Sequence, residues 1–318
     1  MPARPPIDAA LIVQAYDCPP PIPGAGLPGN SYSKREVDIG RIAQTWELIG
    51  NSFAVLKADR ELLWLPVFSG IFCLLISVAI LGGAGLLFLP PVDVSAALKH
   101  RSLSQGMWVC LFLFYLANYF VIVFFNVALV SAASSRLAGG QATINDGLEV
   151  AWQRKSKIFQ WALLSATVGI LLRMIEERAS WLGRLVGGLM GMAWTLASYF
   201  VVPVLAAENV GPAEALQRSA DLFRNTWGEK VVGGFSFGLI FTLLALPGAA
   251  FPFVGRRLGP SGIAAGAALA VLYWLLLAIV NAAVQGIFVA ALYRYARTRD
   301  VSAGFRLQDF SMAWQPKS

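Results

Sequence analysis

The sequence predicts an all-α, polytopic membrane protein: six transmembrane helices with three cytoplasmic in-plane amphipathic helices. Three observations carry that prediction. Of the 318 residues, 57% are hydrophobic and only 14% are charged, with a mean hydropathy of +0.63, too little charge to clothe a water-facing surface. The apolar residues gather into six runs almost free of charge, most of them at or above the roughly 20 residues that a helix needs to cross a bilayer. Three segments with apolar residues at helical spacing opposite a polar stripe stand just before the odd-numbered runs. A soluble helical core is excluded, because it would place such runs inside water-facing helices.

Residues 1–38 read as a Pro-rich tail. Eight of the 17 prolines fall at positions 2, 5, 6, 19, 20, 21, 23 and 28, a composition that cannot bury enough surface to fold. The short apolar stretch AALIVQA, followed by prolines, lacks the layout of a cleavable signal peptide. The membrane domain is expected over residues 39–299, with a cytoplasmic C-terminal tail over 300–318. In the first in-plane helix, Ile42, Trp46, Ile49, Phe53 and Leu56 oppose Arg41, Gln44, Thr45, Asn51 and Ser52, so Trp46 and Phe53 are its membrane-surface anchors. The first span follows at 62–89, with Pro66 near its start, and the second at 107–130.

The second in-plane helix begins at Thr143, with Asp146 three residues on as a capping-box-like partner. Ile144, Leu148, Ala151 and Trp152 form its apolar face; Asn145, Glu149, Gln153 and Arg154 form its polar face. The third span, 158–175, is short: 15 uncharged residues separate Lys157 from Arg173, and both cations must snorkel. The fourth span, 185–207, is entered through Gly183, Gly187 and Gly191, small residues that let another helix approach. In the third in-plane helix, started by Pro212, Leu216, Ala220, Phe223 and Trp227 oppose Glu214, Gln217, Arg218, Asp221 and Arg224. Its anchors are Phe223 and Trp227, as Trp152 is for the second. The fifth span covers 231–254. The sixth lies within Leu258 to Tyr293, where a helix from Ile263 would be about 46 Å long against a hydrocarbon core of about 30 Å, so it must tilt or protrude.

Lys and Arg near the span ends set the orientation. The side carrying the N-terminus holds 13 (Lys57, Arg60, Arg136, Arg154, Lys155, Lys157, Arg218, Arg224, Lys230, Arg294, Arg297, Arg299 and Arg306) against seven opposite, so both termini are expected to be cytoplasmic, in the inner membrane of the cell. The unit of amphipathic helix plus hairpin points to a threefold internal repeat, and Tyr119-Phe120-Val121 recurs as Tyr199-Phe200-Val201. The general tendency of loops between spans to be amphipathic is the alternative.

Trp46-Glu47-Leu48, Lys57-Ala58-Asp59, Glu61-Leu62-Leu63, Pro66, Ser69-Gly70-Ile71, Glu214-Ala215-Leu216 and Trp227-Gly228 carry a resemblance to an uncharacterised family of six-span bacterial and archaeal membrane proteins. The resemblance spans about residues 40–300. More remotely, the chain is similar to the membrane domain fused to some glycerophosphodiester phosphodiesterases. The resemblance implies the six-span fold and leaves activity open.

Chemistry finds little purchase. The single histidine, His100, stands in an outer loop without neighbouring ligand types; Glu176 and Glu177 are adjacent, hence about 100° apart on a helix. Cys18, Cys73 and Cys110 are too widely spaced for a disulfide framework or a metal site. No metal, cofactor or nucleic acid is expected, and no catalysis. The candidate residues are instead polar groups at membrane depth. Asn118, Asn126, Ser198, Tyr199, Asn281 and Gln285 belong to the even spans, with Gln160, Thr195, Ser236 and Thr242 as lesser members. Glu208, Asn209 and Arg218 close the cytoplasmic end of span four. These groups suit either interhelical hydrogen bonding or the lining of a polar path. Two functions are therefore expected: a non-catalytic membrane scaffold or lipid-interacting module, or a transporter or channel for a small polar or lipid-like solute. Membrane lipids are the expected partners in both, and a protein partner or a second copy of the chain stays open.

Overall fold

The computed structural model describes residues 56–57, 60–88, 105–178, 181–227 and 236–298. Among them every regular element is helical. We number the α-helices α1 (Trp64–Phe88), α2 (Gln105–Leu137), α3 (Ile144–Gln153), α4 (Lys155–Arg178), α5 (Trp181–Ala197), α6 (Val201–Ala207), α7 (Pro212–Trp227), α8 (Ser236–Gly255) and α9 (Gly259–Thr298). Among the described residues, five stretches are long and apolar enough to cross a membrane: Arg60–Ala84, Trp108–Leu137, Lys155–Ile175, Gly183–Ala207 and Gly259–Thr298. A shorter apolar stretch, Phe241–Gly255, lies in α8, where the fifth of six spans was expected. The first amphipathic segment, with Trp46 and Phe53, lies outside the described residues.

Large apolar side chains stand exposed along the spanning helices, among them Leu74, Leu75 and Val78 on α1, Leu185, Leu189 and Met192 on α5, and Leu272, Leu275 and Leu276 on α9. Such surfaces are intolerable in water and ordinary against lipid tails. Burial is kept for a narrower set: Val127 to Val130 on α2, Ile158, Trp161 and Ala162 on α4, Val201 and Val204 to Ala207 on α6, and Ala283, Val284 and Ile287 on α9.

The chain divides into two compact units. One, residues 65–131 and 144–221, contains α1, most of α2, α3 to α6 and the start of α7. Here α1 meets α2 through Phe72 and Phe125, ring centroids 5.8 Å apart, and through a polar contact in which Ser77 Oγ donates to Asn118 Oδ1 over 3.4 Å. The indoles of Trp161 on α4 and Trp194 on α5 stack at 5.7 Å, within 10° of parallel. Helix α3 does not end in a loop. Only Arg154 interrupts the path into α4: its N–H still reaches Val150 O at 3.2 Å, and its own carbonyl accepts from Ile158 N at 3.0 Å. The second amphipathic segment is therefore fused to the span that follows it.

The fourth span is broken. α5 stops at Ala197, and α6 starts only at Val201. Pro203 explains the place: its ring has no N–H to offer the carbonyl of Tyr199 and crowds it, so the helix opens one turn earlier. Around the break, Tyr199 N bonds to Leu196 O at 3.3 Å in a tighter turn, and Phe200 N finds a partner outside its own helix, Ser219 Oγ at 2.9 Å.

The other unit takes residues up to 64, 132–143 and from 222 onward. Its centre is the hairpin of α8 and α9, turned by the 3-10 segment Arg256–Leu258. The two helices run so close that a Cβ on Gly255 would collide with the carbonyl oxygen of Gly262, and one on Gly266 would lie 2.5 Å from the carbonyl oxygen of Phe251. Pro247 and Pro252 lie inside α8. Just before Pro247, two donors from α9 meet the backbone of α8: Tyr273 OH donates to Leu244 O, and Trp274 Nε1 to Ala245 O at 3.0 Å. In lipid such cross-helix donors help satisfy the backbone of a helix that carries two prolines.

Candidate functional site

Among the described residues of the unit of residues 65–131 and 144–221, a polar cluster surrounds the segment Glu208 to Gly211, which joins α6 to α7. Its first member is Arg154, which is only 6% exposed. Its Nη1 donates to Leu205 O at 2.7 Å and its Nη2 to Ala207 O at 3.4 Å. These are carbonyls of the last turn of α6, where an intrahelical donor is missing and the helix dipole is negative, so a guanidinium is well matched there. Three residues on, Lys157 donates to the main-chain carbonyl of Asn209 and to its Oδ1 at 2.7 Å. Arg218, on α7, pairs with Glu208 and, one turn back, with Glu214 Oε1 at 2.5 Å. Ser219, fully buried, closes the set by accepting the Phe200 N–H.

The arrangement is a brace. Three cations, Arg154, Lys157 and Arg218, and two carboxylates, Glu208 and Glu214, tie the end of the fourth span to the fused α3–α4 helix on one side and to α7 on the other. Charge-assisted bonds to main-chain carbonyls hold geometry. Among the described residues no group of three His, Cys, Asp or Glu stands together to hold a metal.

Each candidate polar residue has a definite place. Asn118 donates through Nδ2 to Phe114 O at 2.9 Å, accepts from Ser77, and its main-chain carbonyl lies 3.8 Å from Cys73 Sγ, so it works between α1 and α2. Asn126 is half-buried on α2, and Ser198 turns back on Thr195 O at 3.3 Å. Tyr199 is half-buried beside Phe200, ring centroids 5.0 Å apart and edge-on. Asn281 and Gln285 pair with one another along α9, Nε2 to Oδ1 at 3.1 Å, in the other unit. Glu208 pairs with Arg218, and Asn209 accepts from Lys157.

The amphipathic faces differ from expectation by about one position. On α7 the fully buried residues are Ala215 and Ser219, while Leu216, Ala220 and Phe223 are half-buried flanks. The side chain of Trp227 lies outside the described ones. On α3 Gly147, Val150 and Ala151 are buried, Trp152 is 62% exposed, and Arg154, expected on the polar face, is inside. Small residues four apart, Gly147/Ala151 and Ala215/Ser219, let these short helices approach their neighbours; the bulkier apolar residues are left beside the contact. That spacing is the signal that would have found the buried faces in the sequence. Nothing local marks Arg154 as buried, because its partners are carbonyls 51 and 53 residues away.

Spanning-length apolar helices, a broken span with its freed backbone satisfied from a short neighbouring helix, and lipid-ready outer faces define a multi-pass helical membrane protein. More narrowly, the chain belongs to a family of unknown function (DUF6159), whose model matches residues 105–305. That range takes in Glu214-Ala215-Leu216 and Trp227-Gly228 but begins after the residues at 46–71 that carried the resemblance. No curated protein and no solved structure matches, and nothing links the chain to the glycerophosphodiester phosphodiesterases.

Proposed function

We propose that this protein is a non-catalytic, lipid-engaging scaffold of the inner membrane, with six spans and both termini in the cytoplasm. The carrying observation is that α3 and α7 are tied rigidly to spans, α3 by fusion through Arg154 and α7 by Ser219 and Arg218 at the break of the fourth span. A helix held this way presents its remaining face to the headgroup layer as a fixed surface. α8 serves as the fifth of the six spans: its 20 residues at about 1.5 Å each cover a hydrocarbon core of about 30 Å. The matching pairs Gly147/Ala151 and Ala215/Ser219 favour a repeated unit of short helix plus hairpin. Exposed cations of these helices and of the span fused to α3, Lys155 and Arg224 among them, attract anionic lipid at about 1 kcal/mol each.

Hydrogen–deuterium exchange of the full chain tests this reading, in nanodiscs of phosphatidylcholine alone and with about one third phosphatidylglycerol. Amides of α3 and α7 should slow in the anionic discs while those of α9 stay unchanged. Identical exchange in both lipids would remove lipid engagement from these helices.

A further inference from the structure

The outer face of the α3–α4 junction carries chemistry that the brace does not use. We propose that it is a site for one anionic phospholipid, formed by Trp152, Lys155, Ser156, Phe159, Gln160 and Leu163; the proposal rests on the lipid-engaging reading above and narrows it to a place and a headgroup charge. Trp152 is 62% exposed and caps a row of rings: it stands edge-on to Phe124 at 6.5 Å, Phe124 lies 6.1 Å from Phe120, and Phe120 is 6.0 Å from Phe159. The ammonium of Lys155 lies 4.1 Å from the centroid of the Trp152 ring. An ammonium so placed keeps N–H bonds directed away from the ring and free to meet a phosphate. Its nearest acidic neighbour in sequence, Glu149, is held by Gln153 Nε2 at 3.3 Å.

Depth orders the rest. Lys155 is the first residue of the spanning stretch Lys155–Ile175, so its charge belongs at the headgroup level, with the exposed Ser156 beside it. Gln160 is exposed just over one turn deeper and has no hydrogen-bond partner among the described residues. An amide turned outward there requires an external partner, and the glycerol-ester layer of a phospholipid, one helical turn of about 5.4 Å below the phosphate, supplies carbonyl acceptors. Leu163, 41% exposed, continues the face toward the acyl chains, and Phe159, 46% exposed, stands beside Gln160. Cation, hydroxyl, amide and apolar groups follow one another in the order in which a phospholipid presents phosphate, glycerol ester and chain.

Native mass spectrometry of the full chain in detergent, with equimolar dioleoyl phosphatidylglycerol and dioleoyl phosphatidylcholine, tests the site. The protein should retain one phosphatidylglycerol in preference. Lys155→Gln should lower that preference about fivefold, Lys155→Arg should keep it, and Arg257→Gln, an exposed cation elsewhere, should leave it unchanged. Gln160→Leu should weaken both lipids alike, because both carry esters. The retained Lys155→Arg preference guards against misfolding as the cause. A wild-type preference that survives Lys155→Gln overturns this site and leaves the lipid-engaging reading standing; no wild-type preference for phosphatidylglycerol overturns both. Displacement of the lipid by millimolar inorganic phosphate would mean a free-anion site and would also defeat the proposal.

Discussion

At the residue scale the structure turns on backbone groups that the chain's own helices leave unmet. Pro203 opens the fourth span, and the Phe200 N–H exposed by the opening is met by one hydroxyl, Ser219 Oγ, at 2.9 Å in a fully buried setting. Ser219→Ala leaves that donor without an acceptor and should lower stability by about 1–3 kcal/mol. Ser198→Ala, which removes only a 3.3 Å contact to Thr195 O in a half-buried position, should stay within about 0.5 kcal/mol. Thermal unfolding in detergent followed by circular dichroism distinguishes the two; equal losses would deny the bond its role. Sequence alone marked 185–207 as one continuous span, and Pro203 within it is the local sign of a break that this expectation left out. The sequence could not name Ser219, which reads as one more small residue on a helix thought to rest on lipid.

At the element scale the helices are joined by close approach rather than by bulk. Two apolar helices gain nothing from leaving water once both are in lipid, so packing quality and interhelical hydrogen bonds decide their association. The α8–α9 hairpin shows this at Gly255 and Gly266, where a side chain would strike the facing backbone. Gly266→Val should therefore force the hairpin apart and cost at least 1–3 kcal/mol, whereas Gly82→Ala on α1, with nothing within 4 Å of the added carbon, should be tolerated. Limited proteolysis of detergent-solubilised protein, scored at the turn around Arg256, reads the difference, and equal resistance of both variants would contradict it. The amphipathic elements were legible as helices from their periodicity, and α3 and α7 begin within a residue of the expected positions. Their buried sides were not legible, because an apolar residue on such a helix can face either lipid or protein, and hydropathy does not distinguish the two.

At the scale of the whole molecule, charge at the span ends predicts the orientation. Replacing the native cysteines and introducing Ser95→Cys or Asn145→Cys should give a thiol at position 95 that an impermeant reagent labels in intact cells, and one at 145 that it reaches only after lysis. The reverse pattern would invert every cytoplasmic assignment made here. The membrane class, the all-helical make-up and the approximate limits of five spanning stretches were legible in the sequence, because a helix that must satisfy its backbone within itself in lipid announces its length and polarity locally. Only the tertiary structure decided that Arg154 is buried, that the fourth span is two helices braced by a third, and that Asn118 serves α1 while Asn281 pairs along its own helix. Those outcomes depend on which carbonyl or amide from a distant part of the chain arrives within hydrogen-bond range, and no local pattern of residues encodes that.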